Sequence, residues 1–380
     1  MTSNLNVPIS VHTHLVLFFK TLNKMSPPFI LATVCTILFS LINPISAYPH
    51  GKTVHVSSGQ SIQAAIDSAH GGDKIVVEAG TYAEQLTIST NGITLVGDNA
   101  IIVPPSAAVT NTCSDLAGPR TQAGICVTGS TVVLQDLADF DGEHRKVISV
   151  GQRVKDTYIK GFTVNGFSGL NIAVVGAQDA IITENSVSSG AQYGILTVGS
   201  KNSNIKHNTV LSVQGPYPFY FIGICMDDVS TVTIAHNDIS GYFIGLCVQT
   251  DGADLHDNKV HDICVGAFVD PGTKGAKLHD NEFSSILPGC PPTPQYSSGI
   301  TISGGINTAV KSNKFSGIKN GGQAAGVVII DATGVVSSGN DVEKNVFTDN
   351  DLDVFEQTTG KGNVVKKNQC TLSNPATLCQ

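Results

Sequence analysis

The sequence predicts an all-β chain wound as a solenoid of parallel strands. Three observations carry that expectation. A six-residue pattern centred on asparagine returns eight times. A glycine followed by apolar alternation returns between the copies. Charged residues make up only 14% of 380, while glycine reaches 39, so turns are many and long solvated helices few.

The asparagine pattern runs Ile182 to Val187, Ile205 to Val210, Ile234 to Ile239, Leu255 to Val260 and Leu278 to Phe283. It continues as Val310 to Phe315, Val342 to Phe347 and Val365 to Cys370. Its centres are Asn185, Asn208, Asn237, Asn258, Asn281, Asn313, Asn345 and Asn368, spaced 23, 29, 21, 23, 32, 32 and 23 residues apart. The base period is therefore about 22, with insertions of up to roughly ten. An earlier copy, Ile159 to Val164, has Phe162 in the asparagine position. The glycine runs begin at Gly194, Gly223, Gly245, Gly299 and Gly326. Short period-2 runs at a fixed larger repeat describe coils of three strands, each pairing with its copy one coil on. A repeated asparagine then stacks at one turn, where its amide bonds to backbone and to the next asparagine.

The front of the chain supplies an end cover. Ser57 to Ala69 reads as a short amphipathic helix with Ile62, Ala65, Ile66 and Ala69 on one face. Ile75 to Val77, Gly80 to Tyr82 and Ile93 to Val96 follow as first strands. A solenoid must cover its open end, or that edge pairs with other chains. The organisation expected is a leader over 1–47 and a single domain over 48–380, with 52–82 as its N-terminal cap.

The repeat resembles the right-handed parallel β-helix of the pectin-lyase-like superfamily, which carries an asparagine ladder at its second turn. The resemblance covers residues 52 to 370. It implies a fold more strongly than an activity, because lyases, hydrolases, epimerases, adhesins and non-enzymes share it.

Export is expected on two grounds. Phe29 to Ile42 is an uncharged apolar run that follows Lys20 and Lys24 and leads to the small residue Ala47. It is too short to span a bilayer and fits a signal peptide. Without Cys35 in that leader, eight cysteines remain, an even number that fits disulfides. Proximity pairs Cys113 with Cys126 and Cys370 with Cys379. Cys225 and Cys247 hold equivalent positions in adjacent coils, and Cys264 and Cys290 precede adjacent strands. No CxxC is present, which disfavours a zinc site. A net charge of −8 with no basic run excludes a nucleic-acid partner. A monomer with no membrane span in the mature chain is expected.

The resemblance implies a substrate cleft on the outward face of the sheet that starts at each glycine, beneath the loops before it. Counting two and four residues from glycine gives two outward columns. The first is Asn171, Leu196, Cys225, Cys247, Phe268, Thr301, Val328, and the second is Ala173, Val198, Asp227, Gln249, Asp270, Ser303, Ile330. Asp227 and Asp270 then face the same way two coils apart, at ~9–10 Å, near the separation that inverting glycoside hydrolysis uses. His261, placed in a loop close to Asp270, is a candidate acid–base group. Tyr217, Tyr220, Tyr242 and Tyr296 sit in loops before cleft strands, where their rings would hold a ligand together with Gln249 and Phe268.

Stacked histidine and aspartate flank the ladder at His207, His236, Asp257 and Asp280, with His256 and His279 alongside. Some bacterial relatives with this repeat are named for copper delivery. These positions adjoin a tight turn and are expected to be solvated polar residues, so neither metal nor cofactor is assigned.

The function expected is a secreted carbohydrate-active enzyme, a polysaccharide hydrolase, lyase or epimerase. An isomerase or cyclase for an apolar small molecule is the alternative, followed by a non-catalytic wall or ligand-binding β-helix. The partner is a polysaccharide or small-molecule ligand.

Overall fold

The computed structural model describes residues 51–212, 221–227 and 229–379. The expected leader over 1–47 lies outside them, as do Tyr217 and Tyr220. Among the described residues, no helix is long and apolar enough to cross a membrane.

The chain winds as a parallel β-helix. One wall is an eleven-stranded parallel sheet running from Leu86–Ile88 through Tyr193–Val198, Ile222–Met226, Ile244–Val248 and Val265–Val269 to Ser373–Asn374. The other two strands of each coil belong to one large sheet. One coil is Asp254–His256, Lys259–Ile263, Val265–Val269, the three short strands that the repeat predicts.

The asparagines form the ladder. From Asn185 to Asn345, each donates both its backbone N–H and its Nδ2 to the Oδ1 of the next asparagine, at 2.8–3.1 Å. Nδ2 also bonds a backbone carbonyl of the preceding coil, as from Asn258 to Ile234 at 2.9 Å. The buried amide of each of these asparagines is thereby paired as donor and as acceptor. Phe162, in the position that breaks the pattern, is buried and donates its backbone N–H to Asn185 Oδ1. The residue before each asparagine is left-handed, with φ of 55° at His207, 56° at His236 and 55° at Asp257.

Inside, one apolar column fills the helix lengthwise, with Ile195, Ile224, Leu246, Ala267, Ile300 and Val327 from the eleven-stranded wall. Phe283, Phe315 and Phe347 stack on consecutive coils with centroids 5.3 and 4.8 Å apart. The repeated glycine leaves room for them, since a Cβ at Gly299 would lie 2.4 Å from the Phe315 ring.

Three local expectations are corrected. The entry helix spans Ile62–Asp67 rather than Ser57 to Ala69. Ser61 caps it by accepting from Ala64 N–H, and Glu84 takes the N–H groups of Ile62 and Gln63, so the helix starts only after the cap. The outward columns shift by two at their first coil. Ala173 pairs with Leu196, and Val175 with Val198, because Asn171 rather than Gly169 occupies the glycine position. Its side chain turns to Phe167 N–H and the Ser188 carbonyl. The third correction is a part with no counterpart in the repeat. Ser130–Leu134 and Val147–Gln152 form an antiparallel hairpin.

Candidate active site

The hairpin is an insertion between a strand of the eleven-stranded wall and the next coil, and it folds back over that wall. Val132, Leu134 and Val147 pack on an outward apolar cluster with Ala173, Leu196, Val198 and Tyr193. Between the two strands, the segment carrying Glu143, His144 and Lys146 is drawn across to coils a hundred residues later. Gln249 Nε2 donates to Glu143 Oε2 at 3.0 Å and to Asp270 Oδ2 at 2.8 Å. Lys146 Nζ lies 3.4 Å from Glu143 Oε2 and 3.5 Å from Gln249 Oε1. One amide nitrogen thus holds two carboxylates, which puts their bonded oxygens no more than about 6 Å apart.

Two cavities meet at this group. One, of about 250 Å³, is walled by Phe221, Phe243, Phe268 and Tyr296, with Cys247 beneath and Glu143, Gln249 and Asp270 at its end. The other, of about 350 Å³, is polar and lies beside Lys146, Asp251, Asp270 and Thr273. Phe243 and Tyr296 approach with centroids 6.1 Å apart.

A buried pair lies behind the carboxylates. His144 is fully buried, and Tyr193 Oη is 3.5 Å from its Nδ1. Burial, with the Lys146 charge adding, lowers the His144 pKa to about 3, so the imidazole is neutral at physiological pH. Burial likewise raises the Tyr193 hydroxyl well above its usual value, and the charges of Glu143 and Asp270 push the same way.

The residues singled out from sequence divide three ways. Asp270, Gln249, Phe268 and Tyr296 are brought together at the cavities. Asp227 keeps its expected register, with Gln249 between it and Asp270, since Cys225, Cys247 and Phe268 pair in sequence. Its carboxylate is buried, however, and accepts the Gly199 N–H at 3.0 and 3.2 Å. Tyr242 is corrected from rim to core, because its ring is fully buried in the interior cluster. His261 is corrected from loop to strand. It lies within Lys259–Ile263 of the large sheet, bonded to Asp238 at 2.9 Å and Asp262 at 2.8 Å, so it does not join Asp270. Glu143, Lys146 and His144 were not among the sequence candidates. The one signal was the run of polar and charged residues over 135–146, which follows no period.

The disulfides join Cys113–Cys126, Cys225–Cys247, Cys264–Cys290 and Cys370–Cys379, with Cα separations of 5.9, 4.5, 5.4 and 5.4 Å. All four follow the expected pairing. Cys225–Cys247 lies on the outward face, in the cleft floor.

Comparison with known proteins agrees with the fold. Residues 120–287 match the family model described as periplasmic copper-binding protein (NosD). The solved DFA-IIIase from Arthrobacter chlorophenolicus A6, without its lid, is similar at 12% identity over 80% of this chain and 86% of that one, with a TM-score of 0.50. The chain has the parallel β-helix fold. Another β-helix, the mannuronan C-5 epimerase AlgE6 A-module of Azotobacter vinelandii, is similar at 15% identity over 82% of this chain and 90% of that one, with a TM-score of 0.49. None of the curated proteins compared with this chain matches it. The matched family is named for copper. Among the described residues, His236, His256 and Asp257 are the group with donor atoms close enough to share an ion, and they lie at the ladder turn of this β-helix, away from the cleft.

Proposed function

We propose that this chain is an exported carbohydrate-active enzyme whose reacting groups are Glu143 and Asp270. The observation that carries the reading is the Gln249 amide bridging both carboxylates at the end of an aromatic cavity. Sugar rings offer apolar C–H faces for Phe243, Phe268 and Tyr296, and hydroxyls for the polar end. Of two carboxyl groups this close, one protonates the leaving oxygen and the other attacks or accepts a proton at the ring carbon. Lys146 Nζ stands 3.4 Å from Glu143 Oε2, so a positive charge lies at one of the two carboxyl groups. Four disulfides fit an oxidising compartment outside the cytosol. A β-helix of the same fold, DFA-IIIase, has been solved in complex with GF2, which makes oligosaccharides the first ligands to test.

Reducing-end release and product NMR on a panel of plant, algal and fungal saccharides test the reading. Glu143→Gln and Asp270→Asn each lower turnover by about two orders of magnitude or more, with the circular dichroism spectrum unchanged. Near-parental activity in both variants removes the mechanism. A second reading is favoured by the aromatic lining itself, with Phe221, Phe243 and Phe268 facing the cavity. If no saccharide is processed while an apolar small molecule is converted there, the chain is an isomerase or cyclase of that molecule.

A further inference from the structure

We propose that the turn bearing His236, His256 and Asp257 binds one first-row divalent transition-metal ion, of the zinc or copper(II) kind. Each of the three offers a donor atom, and all lie within 4.8 Å of one another. His236 Nε2 is 3.9 Å and His256 Nδ1 2.8 Å from Asp257 Oδ2. Metal–ligand bonds of about 2.0–2.2 Å put neighbouring donors about 3.3 Å apart in a tetrahedron. The observed separations lie on either side of that value, so small adjustments of these side chains, within the freedom their stacked neighbours leave, bring the donors to it.

The donor set fixes the class of ion. Two imidazoles and one carboxylate suit zinc and copper(II), whereas calcium and magnesium take oxygen ligands. Three protein donors also leave a position for water or a small ligand. The backbone beneath is rigid. His236 and Asp257 take the same left-handed conformation on consecutive coils, and each is followed by a ladder asparagine, Asn237 and Asn258, joined by two hydrogen bonds. His207 stacks on His236 with centroids 4.8 Å apart, and His279 stacks on His256 at 5.0 Å. The outer rings restrict how the two inner rings can turn. The site uses none of the cleft residues, so it stands whatever the cleft does.

Calorimetric titration of chelator-treated protein with Zn2+ and Cu2+ tests this, using Mg2+ as a comparison. One ion per chain is expected, with no heat from Mg2+, and a copper(II) EPR spectrum showing nitrogen coupling from two imidazoles. His236→Gln and His256→Gln each weaken binding at least tenfold, while His55→Gln, at the other end of the molecule, leaves it unchanged. All these side chains are at least partly exposed, and matching thermal unfolding curves confirm that the variants fold. Failure to bind either ion, or unchanged affinity in both turn variants, overturns the proposal.

Discussion

Asn258 and Asn281 are joined through a single acceptor. The backbone N–H and the Nδ2 of Asn258 both donate to Asn281 Oδ1, at 2.9 and 3.0 Å. Asn258 Oδ1 in turn receives the same pair of bonds from Asn237. Replacing Asn258 by Leu removes the acceptor for two buried donors and the donor for the Ile234 carbonyl. The expected loss is about 1–3 kcal/mol for each buried group left unpaired. Urea unfolding measures it, with exposed Lys259→Ala as a variant that stays within about 0.5 kcal/mol of the parent.

Tyr242 and Tyr296 read alike in sequence and separate in the structure. Tyr242 is fully buried, and Tyr296 is 39% exposed at the cavity mouth. Tyr242→Ala is expected to cost about 3–5 kcal/mol, as for other large buried aromatics. Tyr296→Ala is expected to weaken ligand binding with little change in stability. Paired unfolding and binding measurements check both, and the reverse pattern would place Tyr242 at the cleft after all.

His144 gives the fold an acid limit. Its folded pKa, about 3, is below the unfolded value of about 6.5. Between those values the unfolded chain binds one more proton, so stability falls as pH drops from about 6.5 toward 3. His144→Phe keeps a ring against Tyr193 and removes the titrating group. Melting temperatures from pH 7 to pH 4 are therefore expected to fall less in the variant than in the parent. Parallel curves would show that His144 is not buried as a neutral ring.

Four disulfides account for the eight cysteines among the described residues. Thiol titration of denatured, unreduced protein lacking residues 1–47 is expected to find none free. Two or more free thiols would contradict the Cys225–Cys247 and Cys264–Cys290 links between neighbouring coils.

The scaffold was legible because it repeats. Asn208, Asn237, Asn258 and Asn281 recur in one context, and each copy supports the reading of the others. The disulfides followed from the same register, since Cys225 and Cys247 stand at one position of successive coils. Phase was lost only where the repeat itself changed. Asn171 stands in place of a glycine, and counting from Gly169 displaced Asn171 and Ala173 by two. Half of the site was legible for the same reason, with Gln249 and Asp270 on the outward column as counted. Glu143 and Lys146 were not, because a contact across a hundred residues leaves no period to read. Tyr242 was misplaced because a loop position before a cleft strand does not say whether the ring turns inward or outward. His261 was misplaced because it was read as a loop residue, although it stands level with Ser240, the last residue of the preceding copy's strand.

The hairpin over 130–152 has a consequence for how this molecule can vary. It takes no part in the asparagine ladder, and the bonds that fix the coils close without it. Yet it supplies one of the two carboxylates and the lysine beside it. The candidate site is therefore written in two stretches, Glu143 and Lys146 in the hairpin and Gln249 and Asp270 on the coils. Changes at Glu143 or Lys146 leave the coils wound, while a change at Asn258 weakens the coils that carry the other half.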